Sequence, residues 1–257
     1  DFEITAEIDE EVLTASFTSN TDTTPPALTG LSATGEFSSD DTTTYTSANI
    51  TLNFTPQDGQ SGVDEVILVK INDDGTRTEF PGVNQVSESG VYEVVVRDLV
   101  GNLTTYTMAD FGLMNTIQVS NQAPVAVWTV DGVPATTNWY TTPPTALEAT
   151  LTGETRMRVA SMTINGVQVD SFTSFLGQNP VTLRANLADL PQSPNGDYVV
   201  VLSGRDMAFN TVERTFTLKG DFTPPTLAGS GLTGEYTVDG SAPYSRTPVT
   251  FTVAGTD

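Results

Sequence analysis

The feature that most constrains this chain is an internal repeat without gaps. Pro26 recurs as Pro225, Glu36 as Glu235, Tyr45 as Tyr244 and Asp58 as Asp257, all at one offset of 199 residues. The register extends backwards, with Phe17 falling on Phe216 and Asp22 on Asp221. Each period holds two related halves, opened by Pro26, Pro124 and Pro225 at spacings of 98 and 101. Both full halves close on Arg-Asp-x-x-x-Asn: Arg97, Asp98 and Asn102, then Arg205, Asp206 and Asn210. A fixed long period means structural units in series. The units alternate as type 1, type 2, type 1. Residues 1–22 read as the last strands of a preceding type-2 unit, 23–122 as a type-1 unit, 123–222 as a type-2 unit, and 223–257 as the first strands of a further type-1 unit.

Within a unit the apolar period is two. Ile50-Thr51-Leu52-Asn53-Phe54 puts its apolar residues on one side, as a half-buried strand requires. Asn72-Asp73-Asp74-Gly75 and Asn165-Gly166 are hairpin turns, because Asn and Gly accept positive φ. In the type-1 unit strands are predicted near 28–33, 49–55, 63–71, 76–80, 85–87, 91–98 and an interrupted 103–119. Seven short strands in about 100 residues, punctuated by turns, predict an all-β chain of tandem immunoglobulin-like β-sandwich domains.

Several runs carry a family likeness. They are Thr24-Pro25-Pro26, Asp58-Gly59-Gln60-Ser61-Gly62-Val63, the stretch from Gly90-Val91-Tyr92 to Asp98-Leu99-Val100-Gly101-Asn102, and Trp139-Tyr140-Thr141-Thr142-Pro143. Together the chain resembles the bacterial Ig-like domain repeats of cell-surface and adhesin-type proteins. The type-2 unit departs from that pattern at Ala208-Phe209 and lacks the Ser-Gly-Val turn. The resemblance implies an extracellular, cell-surface location and a stalk, fibre, adhesin or surface-layer role. Such repeats also accompany large secreted hydrolases, so a glycan- or surface-binding module and an accessory spacer of a secreted enzyme stay open as alternatives.

Composition narrows the chemistry. The chain has no His and no Cys, which removes Ser-His-Asp triads, thiol nucleophiles and His- or Cys-ligated metals. The expectation is no enzymatic activity. Ten basic residues against 32 acidic ones give a net charge of −22. Phosphate binding needs clustered Lys and Arg, so no nucleic-acid partner is expected, and no apolar run is long enough for membrane insertion. Partners are expected to be adjacent repeats, neighbouring copies of the same protein, glycans or a cell surface.

The carboxylates point to a cation. In an immunoglobulin topology the B–C and F–G loops lie at the pole where the linker enters. That would bring together Asp22 of the linker, Asp58 and Asp64 of the B–C loop, and Asp98 and Asn102 of the F–G loop. Hard oxygen ligands on converging loops suit calcium. The alternative is that Asp, Gly and Asn merely close turns by side-chain to backbone hydrogen bonds. The type-2 pole, with Glu154, Asp206 and Asn210 beside a neutral Asn121-Gln122 linker, is the poorer candidate. Tyr140 aligns with Tyr45, which leaves Trp139 against Thr44 and predicts core or edge packing for that tryptophan rather than a sugar platform.

Overall fold

The computed structural model describes residues 2–8, 11–17, 19–136, 139–142, 144–187, 195–221, 224–233, 237–239, 242–244, 248 and 250–256. It is nearly all β. A 3₁₀ turn at Met108–Phe111 interrupts the predicted 103–119 strand, dividing it into Leu103–Thr107 and Thr116–Val119. Gly112 ends that turn at φ 79°, a left-handed conformation open to glycine. No helix among the described residues is long and apolar enough to cross a membrane.

The first sandwich spans 27–119. One sheet pairs Ala27–Thr34 with Ile50–Gln57 and then Gln85–Val86. The other runs Phe37–Ser39, Thr43–Thr46, Thr116–Val119, Gly90–Asp98, Val63–Ile71 and Arg77–Pro81, with Leu103–Thr107 also on Gly90–Asp98. Phe37–Ser39 and Thr43–Thr46 were not expected from the sequence, being short and rich in Ser and Thr. Inward residues of both sheets, including Leu28, Ile50, Leu52, Leu68, Val94, Val96 and Ile117, form one buried cluster. Burial of alternate side chains from two facing sheets is what holds such a sandwich together.

The second sandwich repeats this plan over 125–221. Val125–Val130, Ala146–Thr152 and Val181–Asn186 lie in one sheet. Trp139–Tyr140, Thr211–Asp221, Asn195–Asp206, Met157–Ile164 and Val167–Gln178 lie in the other. Leu147, Leu151, Met162, Leu183, Val200, Leu202 and Leu218 share its core. Trp128 packs against that core and stacks on Phe216 with ring centroids 5.7 Å apart.

Strand pairing near the C-terminus keeps the sequence period. Ala27 pairs with Gln57 and Thr34 with Thr51; one period later Thr226 pairs with Thr256 and Thr233 with Thr250. Likewise Ser38 pairs with Tyr45, and Thr237 with Tyr244. Near the N-terminus Phe2–Ile8 and Glu11–Phe17 form an antiparallel hairpin.

Candidate metal centre

The Asp-x-x-x-Asn motif builds the same small clamp in both sandwiches. In the first, Asp98 Oδ1 accepts the N–H groups of Val100 (3.0 Å) and Asn102 (2.8 Å). The Asn102 Nδ2 group donates to Asp98 Oδ2 at 2.7 Å and reaches the linker carbonyl of Asp22 at 3.3 Å. In the second, Asp206 Oδ1 accepts Asn210 N–H at 2.8 Å, and Asn210 Nδ2 donates to Asp206 Oδ2 (3.1 Å) and to the carbonyl of Ser120 (2.9 Å). The clamp therefore closes its own loop and grips the incoming linker. Asp22 and Ser120 occupy equivalent positions.

The two poles diverge around this shared frame. At the first, carboxylate oxygens of Asp22, Asp58 and Asp98 all lie within 4.8 Å of one another. Asp22 Oδ1 accepts from Thr24 N–H at 2.8 Å and Oδ2 from Ser61 N–H at 2.9 Å. Asp58 Oδ2 accepts from the N–H groups of Gln60 (3.1 Å) and Gly62 (2.6 Å). The bonds from Thr24, Gln60 and Gly62 close local turns, as Asp does readily, and the bond from Ser61 ties the linker to the loop. They leave Asp58 Oδ1 buried with no hydrogen-bond donor. The Ser61 hydroxyl is also buried, beside the Asp22 carboxylate.

The charges are held in place by these donors. The Ser61 hydroxyl and then the Thr24 N–H hold the Asp22 carboxyl below its ordinary value. Burial pushes Asp98 up, but the Asn102 side chain and the N–H groups of Asn102, Val100 and Gly101 outweigh it and hold the carboxyl low. Asp98 is 1% exposed. A buried carboxylate kept ionised next to two others is a hard-oxygen site with uncompensated negative charge.

Of the five residues singled out from sequence, the structure brings Asp22, Asp58 and Asp98 together and sets Asn102 against two of them. The Asn102 NH₂ group is engaged, so the amide oxygen is the atom it can offer a cation. Asp64 is not part of the group. It is the second residue of the strand Val63–Ile71 and its Oδ2 pairs with Arg97 Nε at 3.1 Å, while Glu65 takes Arg97 Nη2 at 2.8 Å.

At the second pole the acidic linker residue is replaced by a hydroxyl. Ser120 Oγ donates to Glu154 Oε2 at 2.6 Å, and Gln118 Nε2 donates to the Glu154 carbonyl at 3.2 Å. Direct packing between the sandwiches completes this joint. Tyr45 of the first is buried with Met207 and Ala208 of the second. Ser38 Oγ donates to the Met207 carbonyl at 2.6 Å, and Arg156 Nη1 reaches Asp40 Oδ2 at 3.3 Å. The same Asp40 oxygen accepts the Tyr45 hydroxyl at 2.7 Å. Burial works against the Asp40 charge, yet donors from Thr42, Tyr45 and Thr43 hold the carboxyl below its ordinary value. Gly177, at φ 67°, lets the Val167–Gln178 strand close on this joint; a Cβ there would lie 2.6 Å from Arg156 Cβ. Sequence reasoning missed the Met207-Ala208 contact, although two apolar residues inside a loop were the available signal.

No protein-family model matches the chain, and no match was found among curated proteins.

Proposed function

We propose that this chain is a section of an extracellular array of tandem immunoglobulin-like domains, acting as spacer and scaffold in a surface stalk, fibre, adhesin or surface layer. The observation that carries this reading is the repeated clamp. Asp98 with Asn102, and Asp206 with Asn210, each bind the backbone of the linker that enters their own sandwich. The means of joining to the previous unit is thus written into each unit, and an array of such units grows by addition. The role is mechanical, and no catalytic step is assigned to the chain.

The reading includes calcium at the first joint. Asp22, Asp58 and Asp98 would supply carboxylate oxygens and Asn102 its amide oxygen. The buried, unpartnered Asp58 Oδ1 supports this, because a cation would satisfy an oxygen that no N–H reaches. Since Asp22 belongs to the linker, a bound ion would tie two units together. A second reading, glycan binding, is favoured by a shallow depression of about 620 Å³ on the outer face of the second sandwich. Ser161, Thr173, Ser203 and Arg205 line it, and Arg205, whose guanidinium lies 5.1 Å from the Phe209 ring centroid, has its Nε buried without a hydrogen-bond partner.

Surface labelling of intact producing cells, with small-angle scattering of the purified chain, tests the main reading. The expected result is labelling without lysis and an elongated particle that is stabilised by millimolar calcium. Confinement to the cytosol, or a compact particle, would overturn it. Selective retention on a glycan array, lost in Arg205→Ala, would favour the second reading.

A further inference from the structure

The second joint shows how one unit docks on the next, and its parts recur on surfaces that are open in this chain. The anchor is Tyr45. It lies on Thr43–Thr46 directly opposite Gln118 of the final strand and is buried against Met207 and Ala208. In the second sandwich the equivalent strand position is Trp139, opposite Lys219 of Thr211–Asp221. Gln118 and Lys219 correspond at the same 101-residue spacing that separates Pro124 from Pro225. Tyr140, the match by residue type, instead turns inward and packs on the core. Trp139 is 60% exposed, with Lys219 Nζ 5.5 Å from its ring centroid. Of the core or edge packing expected for Trp139, the structure shows the edge: it is an outward aromatic on an edge strand.

The receiving surface recurs as well. Met207 and Ala208 follow Asp206 in the clamp loop, and Leu99 and Val100 follow Asp98 in the other. The loops share a backbone bond: Met207 N–H donates to the Arg156 carbonyl at 2.8 Å, and Leu99 N–H to the Gly62 carbonyl at 3.1 Å. Met207 and Ala208 are fully buried at the contact with Tyr45 of the neighbouring sandwich, whereas Leu99 and Val100 are 66% and 59% exposed. An aromatic anchor stands uncovered at one end, and an apolar loop tip at the other.

We propose that Trp139 docks on the Leu99-Val100 tip of the type-1 unit one period along the array, as Tyr45 docks on Met207-Ala208. This rests on the tandem-unit reading above. The occupant of each surface is another copy of the same 199-residue period, so the tryptophan is an assembly residue. Leu99 lies in the unit that precedes Trp139, so the docking joins Trp139 to the Leu99-Val100 tip of a different period, and separate molecules can supply the two surfaces.

Cysteine crosslinking of the full chain tests it, since the native sequence has no thiol. Leu99→Cys and Trp139→Cys chains are mixed and treated with a short bis-maleimide. The expected result is several-fold more crosslinked dimer in the mixture than from either variant alone. Equal yields, or the same yield when Val199→Cys replaces Trp139→Cys, would overturn the proposal. If Trp139→Cys fails to fold, Lys219→Cys takes its place with the same expectation. The Tyr45→Cys/Met207→Cys chain, oxidised to a disulfide because both positions are closed to the reagent, is the internal reference. If it crosslinks within one molecule while the mixture does not, only the Trp139 docking falls; if neither reacts, the reading of linked units falls too.

Discussion

The two linkers are gripped by the same clamp but finished differently. Where the first linker presents Asp22 to Asp58 and Asp98, the second presents Ser120, whose hydroxyl donates to Glu154. A hydroxyl carries its own proton to the carboxylate and needs no ion. Three carboxylates have no such proton, and their mutual repulsion persists until a cation or acid relieves it. The second joint adds Tyr45, Met207 and Ala208, sealed from water, and the Arg156–Asp40 pair. One substitution in the linker thus separates a joint closed by packing from one that gathers three carboxylates.

The largest expected effect breaks the packed joint. Met207→Ala removes a fully buried side chain and should cost about 2–4 kcal/mol. Thermal unfolding should show the same loss in calcium and in chelator. At the first joint, saturating calcium at about 100-fold its dissociation constant should stabilise the wild-type chain by about 2.7 kcal/mol. Asp58→Ala should abolish that gain, read as the melting-temperature difference between calcium and chelator at matched ionic strength. Ser120→Asp sharpens the comparison by placing a third carboxylate at the second joint. It should cost roughly 1 kcal/mol without calcium, as an unmade hydrogen bond does, and regain part of it with calcium. The smallest effect concerns Arg156→Gln. The arginine is half-exposed, so loss of its pair with Asp40 should cost only about 0.5 kcal/mol in a denaturant melt.

Acid should act on both joints in one direction. Asp22, Asp40 and Asp98 are held below the ordinary carboxylate value in the folded chain. Their contribution is complete above the unfolded value of about 3.9 and is lost as pH falls through their lower folded values. Stability should therefore be flat near neutrality and fall below about pH 4. Asp40→Asn should flatten part of that fall.

Much of this was legible in the sequence because repeats and period-two alternation report backbone and burial directly. The convergence of Asp22, Asp58 and Asp98 followed from which loops share a pole. Asp64 misled because proximity in sequence to Gly62 does not reveal a cross-strand arginine. Arg97 lies opposite Glu65 and draws Asp64 with it. The face of Trp139 was hidden for a different reason. Aligning aromatics by type paired Tyr140 with Tyr45, but a one-residue slip in a strand moves a side chain to the other face, and only pairing with Lys219 fixes the side. The docking of Met207 on Tyr45 depends on two units meeting, which no pattern within one unit encodes.

Hydrogen exchange on the intact chain, with calcium and with chelator, tests the difference between the joints most directly because both sit in one molecule. The predicted result is slower exchange in calcium at the amides of Ser61, Gly62 and Asn102, which donate to Asp22, Asp58 and Asp98. The amides of Asn210 and Met207 at the packed joint should be unchanged. Equal protection at both joints, or no calcium effect at the first, would contradict the account.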